Sequence, residues 1–162
     1  MTKITIGFST SSQIKSRLIR FITKAPMSHA YIKIHESDGN VVFHADDEDV
    51  HYMKYDHFLS ENKVIEEIEI EISDAQAKIA ETLRVTEIGK PYSRMKLFGF
   101  IWIRLLRLFN VKTKNPFYDD GRFSYICVEI VTKSLGIQDE TTLTPVDLYN
   151  VVKENNRYSV SH

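Results

Sequence analysis

A disulfide within this chain is excluded, because its 162 residues contain one cysteine, Cys127. That thiol is either a small buried hydrophobe or a reactive group. Long apolar runs are also missing: nothing approaches the roughly 20 residues needed to cross a bilayer. The opening Met1-Thr-Lys-Ile-Thr-Ile lacks the basic, apolar and small-residue succession of a secretory signal. A cytoplasmic setting is therefore expected. Charge of one sign is scarce, with 21 Lys and Arg against 22 Asp and Glu, so the basic excess that nucleic acid demands is absent and nucleic acid is not expected as a partner. With 4 prolines and 6 glycines, and no Ser-rich tract, nothing marks a linker, and residues 1–162 read as a single domain.

What is present is periodic. Lys3 to Phe8 alternates as a strand, followed by Ser-Thr-Ser-Ser as candidate helix caps. Over Gln13 to Lys24 the apolar Ile14, Leu18, Phe21 and Ile22 share one helical face, expected inward, and Arg17, Arg20 and Lys24 share a solvent face. Ser28–His35 and Asn40–Ala45 flank an Asp-Gly turn, the strongest local hairpin signal in the chain. From Asp46 to Lys63 no period emerges, and the stretch reads as irregular. Val64–Ile72 alternates isoleucine with glutamate, and Ser73 with Gln76 forms a capping box opening a helix to about Ile88. Arg94–Phe109 reads as a core helix with a strip of Lys96, Arg104 and Arg107, although the same pattern suits peripheral membrane contact through 94–109. Asn110–Arg122 reads as a loop and Tyr125–Leu135 as a helix stopped by Gly136. Pro145 opens a last helix with Val146, Leu148, Tyr149 and Val152 inward.

Chemistry concentrates on few residues. Cys127 falls in the first turn of its helix, where unpaired N–H groups and the helix dipole favour a thiolate. His29 opens a strand and His44 lies near the end of the next. Any register pairing odd with even positions puts both on one face, where one imidazole serves as base and the other orients it. The competing reading of Cys127 is a packed thiol beside Val131. Paired histidines also suit a metal, but His29, His35, His44, His51 and His57 show no short-range ligand spacing. No metal and no cofactor are expected.

The order of Ser28-His-Ala-Tyr-Ile, Val42-Phe-His-Ala, Gly89-Lys-Pro-Tyr and Ser124-Tyr-Ile-Cys-Val-Glu-Ile-Val resembles the circularly permuted NlpC/P60 group of papain-like enzymes. That group includes bacterial YiiX-like hydrolases and lecithin:retinol acyltransferase-like proteins. Thr144-Pro-Val-Asp-Leu-Tyr also resembles the YiiX-like members. The resemblance implies an α+β fold, a small antiparallel sheet packed with helices, in which the Cys127 helix meets the His29 strand. It implies Cys127 as nucleophile, His29 as base and His44 as orienting group, with Asp46 as substitute for His44. Tyr92 lines the site, and Ser28 and Tyr125 join it as substrate-binding candidates. Two departures stand out: Val128-Glu129 follows the cysteine where relatives often carry a small or polar residue, and His44 stands where YiiX-like proteins often have glutamate. The function implied is hydrolysis of an amide or peptide bond through a thioester. Transfer of an acyl group from a lipid or acylated substrate is the alternative, and an inert interaction module on the same fold is the non-enzymatic one.

Overall fold

Alternation of apolar side chains builds the sheet, and the sheet positions everything else. The computed structural model describes residues 2–111, 126–137 and 144–159. Among these lie five strands, β1 (Thr2–Thr10), β2 (His29–Glu36), β3 (Gly39–Ala45), β4 (Val50–Lys54) and β5 (Lys63–Ile72). The helices are α1 (Ile14–Thr23), α2 (Tyr55–Glu61), α3 (Asp74–Thr86), α4 (Arg94–Leu108), α5 (Cys127–Leu135) and α6 (Pro145–Ser159). The fold is α+β. The strands form one antiparallel sheet in the order β4-β3-β2-β1-β5.

The expected hairpin is β2–β3, closed by Ser37-Asp38 between the paired Glu36 and Gly39. Its register, Ile32 with Phe43 and Lys33 with Val42, pairs odd with even positions. One face of the sheet carries Ile6, Phe8, Ala30, Ile32, Phe43 and Ile68, which form the main core with Val128, Ile130 and Val131 of α5 and Leu148 and Val152 of α6. The other face carries Tyr31 and Val42, covered by Phe58 of α2. The β4–α2 unit occupies the stretch read as irregular. Its strand of five residues is too short, and its helix too brief, for periodicity to separate from noise.

Two helices sit differently from their sequence patterns. In α1 the inward residue is Ser16, whereas Ile14 and Phe21 are 82 % and 81 % exposed. Ser16 is drawn in by a hydroxyl cluster: Thr10 Oγ1 lies 2.9 Å from its Oγ, the Ser11 N–H donates to it at 3.0 Å, and Ser28 Oγ completes the group. None of the four residues of Ser9-Thr-Ser-Ser caps α1; Gln13 occupies that place without a side-chain bond. In α4 the core-helix reading fails on one side. Met95, Phe98 and Trp102, at helical spacing, are exposed, while Ile103 is buried and Lys96, expected in the polar strip, is fully buried. The side chains of Arg104 and Arg107, and the loop from residue 112 onward, lie outside the described residues, as does Tyr125. The remaining elements follow expectation: Ser73 and Gln76 make a reciprocal capping box, Gly136 ends α5 in the left-handed region at φ 69°, and Leu148 and Val152 of α6 point inward.

Candidate functional site

β2 begins at His29 because the Ser28 N–H donates to the Ser9 carbonyl at 2.9 Å, anchoring the strand start against β1. The register of β2 and β3 then places His44 on the same face, and His29 Nε2 lies 3.0 Å from His44 Nδ1. Phe58 closes over both rings, at centroid distances of 6.2 Å from His29 and 5.5 Å from His44. Burial pushes His29 down from 6.5 to about 4, with the nearby His51 acting in the same direction. His44 is held well below its ordinary value, first by burial and then by His29 and His51, with Asp46 opposing. Both imidazoles are neutral at pH 7. With Nε2 of His29 committed to His44, Nδ1 is the nitrogen left to face a nucleophile.

Cys127 is the first residue of α5, arriving from the opposite face of the sheet. Its N-cap, Ile126, has no polar side chain. Instead the Ile126 N–H donates to Glu129 Oε2 at 2.8 Å, and Lys96 Nζ donates to Glu129 Oε1 at 3.1 Å. Glu129 is thus the group that fixes the start of the cysteine helix. Burial opposes the thiolate that the helix position favours. Burial pushes the Cys127 thiol up to about 11, although the backbone N–H groups of Ala30, Val128 and Cys127 itself pull the other way. A helix N-terminus favours the anion, but here desolvation is larger. The resting pair is therefore a neutral thiol and a neutral imidazole.

Cys127, His29, His44, Tyr92, Ser28 and Asp46 all line one open cleft. A second, apolar pocket walled by Ile19, Ile22, Leu97, Ile101 and Ile126 shares Cys127, Tyr92 and Ser28 with the first. The two meet at the thiol, one polar and the other apolar. Tyr92 is held neutral well above its ordinary value, mainly by burial and then by its proximity to Cys127. Its N–H donates to the Glu48 carbonyl at 3.1 Å, which fixes the strand-like segment at Pro91 against the turn before β4. Ser28 reaches the cleft from the hydroxyl cluster with Thr10 and Ser16. Asp46 forms no hydrogen bond with His29 among the described residues; its Oδ1 accepts the Glu48 N–H at 2.9 Å.

By sequence His51 counts only as one of five histidines without a ligand spacing. In the fold it stands on β4 directly opposite His44, and the two rings are 4.8 Å apart. His44, Asp46 and His51 each offer a ligand atom within 4.8 Å of the others. The available signal was the Val50-His-Tyr-Met alternation after an acidic turn, which reads as a strand only once β3 is there to pair with it.

No protein-family model matches the chain, and no curated protein matches it. Among solved structures the chain is similar to the metalloprotein YiiX of Escherichia coli, at 20 % identity and a TM-score of 0.54, over 80 % of this chain and 62 % of that one. The chain therefore spans about three fifths of the length of that structure, and the likeness is one of fold. No described helix is long and apolar enough to cross a membrane.

Proposed function

We propose that this protein is a cysteine-dependent hydrolase of amide or peptide bonds on a permuted papain-like fold. Cys127 is the nucleophile, His29 the base and His44 the group that orients it. The observation that carries this reading is the 3.0 Å His29–His44 bond in a cleft whose wall includes a cysteine at a helix start. The three residue types stand in the roles of nucleophile, base and orienter. With His29 Nε2–H donated to His44 Nδ1, the His29 Nδ1 lone pair is free to take the Cys127 proton.

Because thiol and imidazole are both neutral at rest, attack and proton transfer are coupled. The sulfur bonds to the carbonyl carbon as its proton passes to His29, and the oxyanion that forms accepts the Cys127 N–H at the start of α5. The Tyr92 phenol, held protonated, is the second candidate donor. His29 then returns the proton to the leaving amine, and water resolves the thioester. A cytoplasmic setting suits the scheme, since a lone thiol stays reduced there.

A second reading, acyl transfer or hydrolysis on a lipid or acylated substrate, is favoured by the apolar cavity behind Cys127 and by Met95, Phe98 and Trp102 exposed on α4. The test of both is trapping of an acyl-enzyme by intact mass, using activated peptide and fatty-acyl esters. An adduct on Cys127, absent from Cys127→Ala and formed at least about 100-fold more slowly in His29→Ala, is expected. Equal turnover by Cys127→Ala would overturn the mechanism, and the ester series that reacts fastest identifies the substrate side.

A further inference from the structure

The cluster of His44, Asp46 and His51 was left without a role by the hydrolase reading, in which His44 serves through Nδ1 alone. Its other nitrogen, Nε2, is buried in a residue 2 % exposed and has no hydrogen-bond partner among the described residues. A buried polar atom left unpaired costs free energy comparable to a lost hydrogen bond, so an unpaired ring nitrogen calls for a ligand. Beside it stand two further donors. His51 Nε2 lies 3.6 Å from Asp46 Oδ2, close to the roughly 3.3 Å edge of a tetrahedron built with metal–ligand bonds of about 2.0 Å.

Each of the three is also held from behind. Asp49 Oδ1 accepts from His51 Nδ1 at 2.9 Å, which leaves the Nε2 lone pair facing the cluster. The Glu48 N–H engages Asp46 Oδ1, which leaves Oδ2. His29 engages His44 Nδ1, which leaves Nε2. Outer partners that fix ring tautomer and carboxylate orientation are the usual companions of metal ligands. Asp46 and His51 are part-exposed, so an ion has a path in and a coordination position open to water.

From this arrangement we infer that His44, Asp46 and His51 form a binding site for a first-row divalent transition metal, of which zinc is the probe. Two imidazoles and one carboxylate select such an ion over calcium or magnesium, which prefer all-oxygen shells. Three protein ligands with an open fourth position match the ligand number of zinc sites that retain water. The site shares His44 with the hydrolase reading, and the two compete for that ring. Ligation through His44 Nε2 puts its proton on Nδ1, which then donates to His29 Nε2 and leaves the His29 proton on Nδ1, where it cannot accept from Cys127. Where the hydrolase reading also holds, metal-loaded protein is the resting form.

The experiment is titration of the chelator-treated full chain with zinc, read by calorimetry and by competition with a chromophoric chelator, and repeated with cobalt for its visible spectrum. One equivalent is expected, with affinity falling at least about 100-fold in His51→Ala and about 10- to 100-fold in Asp49→Ala, which removes only the outer partner. Cys127→Ser should bind zinc as the native chain does, and the cobalt spectrum should lack a thiolate charge-transfer band. Asp49 is on the surface, so its variant tests the site even if His51→Ala fails to fold. Zinc binding unchanged in both variants, no saturable binding at all, or a thiolate band lost in Cys127→Ser would each overturn the assignment. None of these readouts depends on turnover, so failure of the metal site and failure of the hydrolase reading are separable.

Discussion

Glu129 and Lys96 form a fully buried ion pair across two helices, 3.1 Å between Nζ and Oε1, and the same carboxylate caps the helix that carries Cys127. Replacing either partner alone removes the opposite charge that compensates the other in a site without water. Glu129→Leu or Lys96→Met should each destabilise the fold by about 3–5 kcal/mol, whereas the double replacement should recover most of that loss. Urea denaturation of the four proteins checks this, and equal losses in single and double variants would show that the pair is not a unit.

The elevated Cys127 thiol makes a prediction opposite to the one its helix position suggests. Iodoacetamide alkylation should be slow at pH 7 and should climb through pH 10 toward a midpoint near 11, where the ordinary thiol value is about 8.5. The same shift has a stability consequence. A thiol that ionises more reluctantly when folded contributes stability that is complete below the unfolded value, about 8.5, and is lost as pH rises toward 11. Chemical denaturation at pH 8 and pH 10.5, for the native chain and Cys127→Ala, should show the extra alkaline loss in the native chain alone.

His44 should matter through His29 and not through contact with substrate. His44→Phe keeps an aromatic ring, somewhat larger, and removes the Nδ1 acceptor, so the proposed hydrolase should lose about 10- to 100-fold in kcat with KM little changed. His44→Asn, which can still accept through its amide oxygen, should recover part of the loss. Steady-state kinetics of both variants distinguishes an orienting residue from a packing one, because packing alone would favour the phenylalanine.

Gly7 owes its identity to Tyr31. A Cβ at position 7 would run into the Tyr31 ring, which cannot retreat because its hydroxyl donates to Glu67 Oε1 at 2.8 Å and Phe58 packs on it. Gly7→Ala should cost about 1–3 kcal/mol by overpacking, measurable as a fall in Tm. Tyr31→Ala in the same background should remove the penalty of the methyl group.

Exposed Phe98 and Trp102 give the peripheral membrane proposal its test. Phe98→Asp with Trp102→Asp should abolish co-sedimentation with neutral and anionic vesicles if α4 inserts, without loss of thermal stability. Absence of co-sedimentation by the native chain would end that reading.

How far the sequence reached depends on the range of the interaction. Asp-Gly between alternating segments is a local instruction, and it was enough for β2, β3 and, with odd–even pairing, for the shared face of His29 and His44. Ser73 with Gln76, the isoleucine–glutamate alternation of β5 and the Gly136 stop of α5 are legible for the same reason. The inward face of α1 was not, because the hydroxyls of Thr10 and Ser28 and the Ser11 N–H, which no helical period marks, hold Ser16 inward in place of the apolar stripe of Ile14, Leu18 and Phe21. Lys96 looked like a solvent residue until Glu129, 33 positions away, entered its surroundings.

The amino-acid sequence by itself determined the elements whose signals lie within a turn or a strand of one another, and it singled out the candidates for chemistry: one thiol, and histidines at strand positions. Tertiary structure decided what those groups are. Burial, which a linear pattern does not record, raised the Cys127 thiol and lowered His29. Pairing of β4 with β3 put His51 opposite His44 and so turned a scattering of histidines and aspartates into a cluster, because a metal or a catalytic dyad depends on distances through space that sequence spacing does not contain.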